Sequence, residues 1–450
     1  MPPTRFFVWC LAASALLWCP APIARGLDAE HRAAADQAIG RGLSFLRQTQ
    51  NPNGSWSPDP GPAITGLILT ALLDDPVVDP TDPAVERALG YILARVQPDG
   101  SIRDGENGAL ANYNTAICLS ALARVEGHPG AAEAVRGAQA FLKGLQWSGG
   151  DVTPDGQTVT RNHPYFGGAG YGKHGRPDMS NTQILLQGLY DSGVSSEDPA
   201  FARAVEFIAR CQGTPGNGFF NKGTIVEDGG FIYATSINKD HPQIPVSYAN
   251  PDLVDEARAG RPVSGLRGYG SVTYAGFKSY LYANLGRDDP RVLAAVDWIQ
   301  NNYTLDQNPG MPESVKHQGL FYYYLAHARA LRAWGSTTLE VAGERKTATV
   351  RAAQDTAWGE VVKKLQGLEE AGYEVSLTTF DPASEPGEPG LSVRKSAEPA
   401  AVDWANNLIA KLAQLQQPNG SFVNAEPRWL ENDPNLVTAY SVLALQEAIR

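Results

Sequence analysis

Asp178 opens the segment Asp178-Met179-Ser180-Asn181-Thr182, directly ahead of a Leu-rich run. A carboxyl there has two readings: it caps the helix that begins after it, or it donates a proton to a ligand. The stretch upstream holds His163, Tyr165, Phe166, Tyr171, His174 and Arg176, a mixture of titratable, aromatic and glycine-flanked residues. His163, His174 and Asp178 lie 11 and 4 residues apart across a glycine-rich loop, which is no recognisable ligand spacing, so no metal and no cofactor is assigned. Asp178 is the candidate acid. His163, Tyr165, Tyr171, His174 and Asn181 are the candidate ligand-contacting residues, joined by Tyr274 and by Tyr323 from the run Tyr322-Tyr323-Tyr324. Successive helical residues point different ways, so only part of that run can face a lumen and the rest packs between helices. Aromatic faces that do face a lumen suit a polyene or a carbocation.

These residues sit in a chain of 450 residues, 43% apolar and 19% charged, enough to bury a sizeable core. Net charge is -11 and no Lys/Arg-rich run forms a basic patch, so nucleic acid is excluded as the expected partner. Residues 1–26 read as an export signal: Arg5, an apolar run over 6–18, then Ala24-Arg25-Gly26. The product is expected in the periplasm or outside the cell. No later stretch is apolar for long enough to span a bilayer. Cys118 and Cys211, the two cysteines beyond that signal, are too few for a disulfide framework and read as buried apolar thiols or a single bridge.

A repeat organises the rest. Arg41-Gly42-Leu43-Ser44-Phe45-Leu46, Gln50 and Gly54-Ser55-Trp56 form its first copy. Copies follow at Arg87 to Ser101 through Gln97, at Arg136 to Gln146 and at Arg203 to Gln212. A degenerate copy lies at Trp298 with Tyr303 in place of Gln, and the sixth carries Leu412, Gln417 and Gly420-Ser421-Phe422. Each copy opens on an amphipathic helix, as in Val85, Leu89, Ile92 and Val96. Asp82-Pro83, Asp198-Pro199 and Asp289-Pro290 mark starts, with Asp as cap and Pro in the first turn. A second, more continuously apolar helix follows, signalled by Thr65, Thr115, Thr182, Thr273 and Thr438. Six such hairpins predict an all-α (α/α)6 toroid with an inner ring of apolar helices.

The pattern over residues 41–56 resembles the QW repeat of squalene-hopene and oxidosqualene cyclases, in a wider group that includes protein prenyltransferase β subunits. The resemblance covers roughly 30–340 and 400–450. It implies a toroid whose cavity holds an isoprenoid chain and, where catalytic, an isomerase of the terpene cyclase/mutase kind. The family's Asp-x-Asp-Asp-Thr acid motif is reduced here to Asp178-Met179-Ser180-Asn181-Thr182, in which Ser180 replaces the protonating Asp. The zinc ligands of the prenyltransferase branch are replaced by Ser271 and Thr273, and hydroxyls are poor zinc ligands, so protein prenylation is excluded. Neither cysteine lies in the Cys-Gly-Glu-Gln of thioester toroids.

Loop lengths locate the expected pocket. Gln50 to Thr65 is 15 residues, but Gln146 to Thr182 is 36 and Gln212 to Thr273 is 61. Equivalent loops of a repeat lie on one face, so units three and four should crown the end where the inner helices begin. The expected ligand is an apolar isoprenoid-type molecule; the alternative is a non-catalytic envelope toroid binding a protein, peptide or glycan through those loops. Domain boundaries are expected at 1–26 (signal), 27–340 (repeats one to five), 341–402 (an insertion with β-α-β character and a Pro-rich linker from 382) and 403–450 (repeat six).

Overall fold

A computed structural model describes residues 26–57, 61–79, 81–105, 108, 110–173, 175–353, 361–363, 365–366, 374–380 and 390–450. Residues 1–25 of the expected export signal, His174, and Trp358 and Leu368 of the helix expected in the insertion lie outside the described residues.

The hairpins pair α1 (Ala29–Gln48) with α2 (Ala63–Leu73), α3 (Pro83–Leu93) with α4 (Ala111–Leu122), and α5 (Pro129–Leu145) with α6 (Met179–Asp191). Next come α7 (Pro199–Arg210), the short loop helix α8 (Val254–Arg258) and α9 (Gly270–Tyr282). They are followed by α10 (Pro290–Asn301) with α11 (Leu320–Trp334), and α12 (Trp404–Leu415) with α13 (Pro434–Ile449). The second helices pack in sequence, α2 on α4, α4 on α6, α6 on α9, α9 on α11, α11 on α13, and α13 returns to α2. The inner ring therefore closes, and the fold is an all-α toroid.

Local chemistry explains the two layers. Outer α7 buries Ala200, Phe201, Ala204, Val205, Phe207 and Ile208 along one stripe, the spacing of a helix covered on one side. Inner α4 is buried from Ala111 through Leu122 apart from Tyr113. Asp82, Asp198 and Asp289 accept from Ala84, Ala200 and Arg291 N–H at 2.8, 3.0 and 2.9 Å, with Pro in each first turn. The five threonines that signal inner helices act alike. Their hydroxyls accept the backbone N–H of Trp56, Ile102, Ala169, Phe231 and Phe422 at 2.9–3.1 Å, latching each incoming loop to its inner helix.

The repeat glutamines join neighbouring units. Gln50 Nε2 donates to Gly54 O and, across to α3, to Ala84 O at 2.9 Å; Gln146 and Gln212 reach Ala200 O and Arg291 O at 2.9 and 2.8 Å. Trp56 is wholly buried and donates to Leu46 O. Gly54, at φ +88°, admits no side chain, because a Cβ would collide with the Arg87 carbonyl. In the sixth unit the joining residue is Gln416, which donates to Ala38 O at 2.9 Å and Gly420 O at 3.0 Å, rather than Gln417. In the units with short loops the glutamine four residues before the turn glycine has the reach, and Gln97 and Gln417, three before theirs, bond locally instead.

The insertion forms a three-stranded sheet of order β2-β1-β3, from β1 (Thr338–Ala353), β2 (Glu374–Phe380) and β3 (Gly390–Asp403). β1 runs parallel to β2 with Val350 opposite Leu377, and antiparallel to β3 with Thr338 opposite Asp403. Val361 packs on Val350 beside Leu365 and Leu377. Residues 390–399, expected as linker, belong to β3. The Pro, Gly and Glu content suggested a linker, yet Leu391 and Val393 alternate as a strand requires, and Pro399 is tolerated because β3 is an edge strand.

Candidate functional site

The long loops of units three and four lie at one end and bind each other. Arg176 donates to Ser236 O at 2.7 Å, Thr235 to Pro164 O at 2.8 Å, and Met179 N–H to Tyr233 O at 2.9 Å. Beneath them is a cavity of ≈ 300 Å³. All six inner helices line it from their first turns: Ala63, Ile64 and Leu67 of α2, Tyr113 of α4, Ser180 of α6, Ser271 and Val272 of α9, Tyr322 of α11, Leu436 and Tyr440 of α13. Loops add Tyr171, Tyr233, Tyr269, Trp429, Leu430 and Glu431. Half-exposed Tyr171, Trp429 and Leu430 mark the mouth. The Arg428 guanidinium lies 4.8 Å from the Tyr248 ring and 4.7 Å from Trp429, bracing that rim.

The lining surface is mostly hydrocarbon and aromatic ring, with tyrosine hydroxyls, Ser180, Ser271, Asn114 and Glu431 as its polar groups, a composition that suits a largely apolar ligand. Burial raises the Tyr113 phenol well above its usual range and pushes Tyr322 up to about 12, so both remain neutral donors. Tyr113 stacks on Tyr171 at 5.9 Å.

Two carboxyls stand here. Asp178 is wholly buried and is the N-cap of α6: its carboxylate accepts Asn181 N–H at 2.8 Å and the Asn181 amide at 3.0 and 3.1 Å, with Arg176 Nη2 at 3.6 Å. Burial raises its pKa, opposed first by Arg176. It is absent from the cavity lining, whereas its neighbour Tyr233 lines the cavity. Glu431 lines the cavity directly. It accepts Tyr322 N–H at 2.8 Å, Phe321 N–H at 3.3 Å and Asn424 Nδ2 at 2.6 Å, and burial pushes its carboxyl up to about 7.

Of the other residues singled out from the sequence, Tyr171 lines the cavity. Asn181 is buried between Asp178 and Asn112, whose amide donates to its carbonyl at 2.9 Å, and so ties α4 to α6. His163 and Tyr165 pack edge to face at 4.9 Å in the unit-three loop, away from the lumen, and burial lowers the His163 pKa. Tyr274 and Tyr323 are corrected: both are fully buried in the wall, 5.5 Å apart, around His327, and Tyr323 donates to Thr304 O. From the tyrosine run it is Tyr322 that faces the lumen. Sequence reading missed Tyr113, Tyr440, Trp429 and Glu431. The available signal was position, since each lies within the first turns of an inner helix or in the loop just before one. Cys118 and Cys211 are separate buried thiols. Among the described residues no three His, Cys, Asp or Glu side chains converge as metal ligands, and no helix is long and apolar enough to cross a membrane.

No family model matches the chain, and no curated protein matches it. Solved structures do resemble it. A type II terpene cyclase from Scytonema, in complex with its product merosterolic acid A, is 14% identical over 94% of this chain and 99% of its own, with a TM-score of 0.46. The same cyclase in complex with its substrate geranylgeranyl dihydroxybenzoate gives 14% and 0.43. A family 76 glycoside hydrolase from a bovine Bacteroides thetaiotaomicron strain is 9% identical over 91% of this chain and 77% of its own, with a TM-score of 0.48. At these identities the likeness concerns the fold, and the toroid assignment rests on the closed ring itself.

Proposed function

We propose that the protein holds a compact isoprenoid-type ligand in the cavity at the inner-helix N-terminal end. The observation that carries this reading is the lining, in which six tyrosines and the Trp429 indole alternate with Ile64, Leu67, Ile117, Val272 and Leu436. Apolar burial provides the affinity and the few polar groups fix orientation. A volume of ≈ 300 Å³ lies at the small end of the range for ligand pockets, which suits a short prenyl chain better than a whole triterpene.

Binding is better supported than cyclisation. Protonating a carbon–carbon double bond needs an unusually strong acid, whereas burial raises the pKa of both Asp178 and Glu431 and so weakens them as acids. Within the catalytic form of this reading, Asp178 is the candidate proton donor, acting through the Tyr233 phenol on a more basic oxygen such as an epoxide or ether. Export of the chain by residues 1–26 belongs to the same proposal, and N-terminal sequencing of the protein from the culture medium or periplasm tests it.

The test of function incubates the full chain with geraniol, farnesol and squalene and analyses bound lipid and products by mass spectrometry. The expected result is a shorter alcohol bound at one per chain and squalene excluded. A new cyclic product lost in Asp178→Asn would establish the catalytic form. Absence of any bound lipid overturns the reading.

A further inference from the structure

Among the described residues, five that are not glycine hold a left-handed backbone: Ser57, Leu110, Asn284, Trp429 and Leu430. Three of them line the cavity, Leu110 at φ +56°, Trp429 at φ +57° and Leu430 at φ +65°. Asn tolerates this conformation because its short polar side chain can bond locally, so Asn284 is ordinary. Leu and Trp gain nothing of that kind, and each is a backbone outlier of unfavourable energy. Trp429 and Leu430 carry it in succession, within the single turn Arg428–Leu430.

The surroundings hold this turn in place. Glu431, next in sequence, is tied to Phe321, Tyr322 and Asn424 by its carboxyl, and its carbonyl accepts the Asn424 N–H at 3.1 Å. Leu430 N–H donates to Pro427 O at 3.2 Å, and Leu430 O accepts from Asp433 N–H at 2.9 Å. The Trp429 indole meets the Tyr248 ring edge to face at 5.8 Å, with the Arg428 guanidinium beside both. Gly319 gives the indole its seat, since a Cβ there would lie 3.0 Å from the ring carbon Cζ3. For all this anchoring, the two side chains remain 43% and 45% exposed at the mouth. Core packing does not account for them, and glycine would hold the same turn without strain.

We propose that Trp429 and Leu430 form a pre-shaped collar that grips the outer part of the cavity ligand and so sets its preferred chain length. This deepens the proposed function and rests on it. A side chain already held in its bound position loses little freedom when a ligand arrives, so backbone strain in the free protein is offset by a smaller ordering cost on binding. The ligand class narrows to prenyl chains long enough to reach from the first turns of the inner helices to the mouth, where the half-exposed indole and leucine cover the far end.

Calorimetric titration of the full chain with geraniol and with farnesol, longer by one isoprene unit, tests the collar. The natural chain should bind farnesol about tenfold tighter than geraniol. Trp429→Ala and Leu430→Ala should each remove most of that preference and leave geraniol within about twofold of its natural affinity. Damage inside the cavity would instead weaken both alcohols together. Asn284→Gly, at a left-handed position outside the lining, is the control and should change neither affinity. Urea unfolding reads the strain separately: Leu430→Gly should be more stable than Leu430→Ala, the reverse of their order at a position with negative φ. An undiminished farnesol preference in both alanine variants, equal weakening of the two alcohols, or Leu430→Ala proving the more stable overturns the collar while leaving the apolar site standing. Failure of the natural chain to bind either alcohol overturns both.

Discussion

Glu431 accepts the backbone N–H of Tyr322 at 2.8 Å, so a carboxyl from the loop before α13 caps α11, whose own N-cap, Gly319, has no side chain to do so. The rim of the cavity and the start of one of its walls are held by the same group. Burial raises this carboxyl from 4.5 to about 7, so the folded state binds its proton more tightly than the unfolded chain. The stability it contributes is full below pH 4.5 and is lost as pH rises through 7, a change of roughly 3 kcal/mol at most. Urea unfolding of the natural chain and of Glu431→Gln should give a stability difference that falls across that window. A difference independent of pH contradicts this.

His327 has the opposite sign. It is wholly buried among Tyr274, Tyr303, Tyr323 and Trp404, with ring centroids 5.2–5.9 Å away, and neither ring nitrogen has a partner among the described residues. Burial lowers its pKa from 6.5 to about 3. The folded protein keeps it neutral while the unfolded chain protonates, so stability present above pH 6.5 drains away as pH falls toward 3, by a few kcal/mol. His327→Phe should flatten the acid limb of a thermal-unfolding profile; an unchanged limb would show that the ring does not titrate as argued.

The threonine latches predict a local cost. Thr182→Val keeps shape but leaves the buried Ala169 N–H, now bonded at 3.0 Å, without its acceptor. An orphaned buried donor costs about 1–3 kcal/mol. Chemical denaturation should show that loss, and a value within about 0.5 kcal/mol of the natural chain would reduce the latch to a coincidence of geometry.

Ring closure predicts a contrast between adjacent residues. Gln416 crosses to Ala38 O and Gln417 bonds only to Leu415 O, at 3.3 Å. Gln416→Ala should lower stability by about 1–2 kcal/mol and Gln417→Ala by less than about 0.5 kcal/mol. Equal effects would remove Gln416 from the closure.

The toroid was legible because its determinants are periodic. Asp-Pro starts, threonine latches and turn glycines recur from unit to unit, and each recurrence does the same physical work. The pocket's end was legible too, since only the loops of units three and four are long, and they meet through Arg176 and Thr235. Individual lining residues were not. Tyr322, Tyr323 and Tyr324 are indistinguishable as letters, and helical phase alone sends Tyr322 to the lumen and Tyr323 into the wall. Asp178 stood out by resemblance and serves as a helix cap, while Glu431 carries no motif and lies on the cavity. The sheet strand over 390–403 was hidden by its composition, because pairing to β1 is a long-range contact that local residue content does not report.

If an apolar ligand sits in the cavity at the inner-helix starts, filling that space must abolish binding. Ala63 is the first residue of α2 and lines the cavity without being fully buried, so Ala63→Trp places an indole in the space with little disturbance of the ring. Native mass spectrometry of the full chain with farnesol should show one bound molecule for the natural protein and none for Ala63→Trp at unchanged thermal stability. Undiminished binding by the filled variant, or no binding by the natural chain, would show that the cavity is not the ligand site.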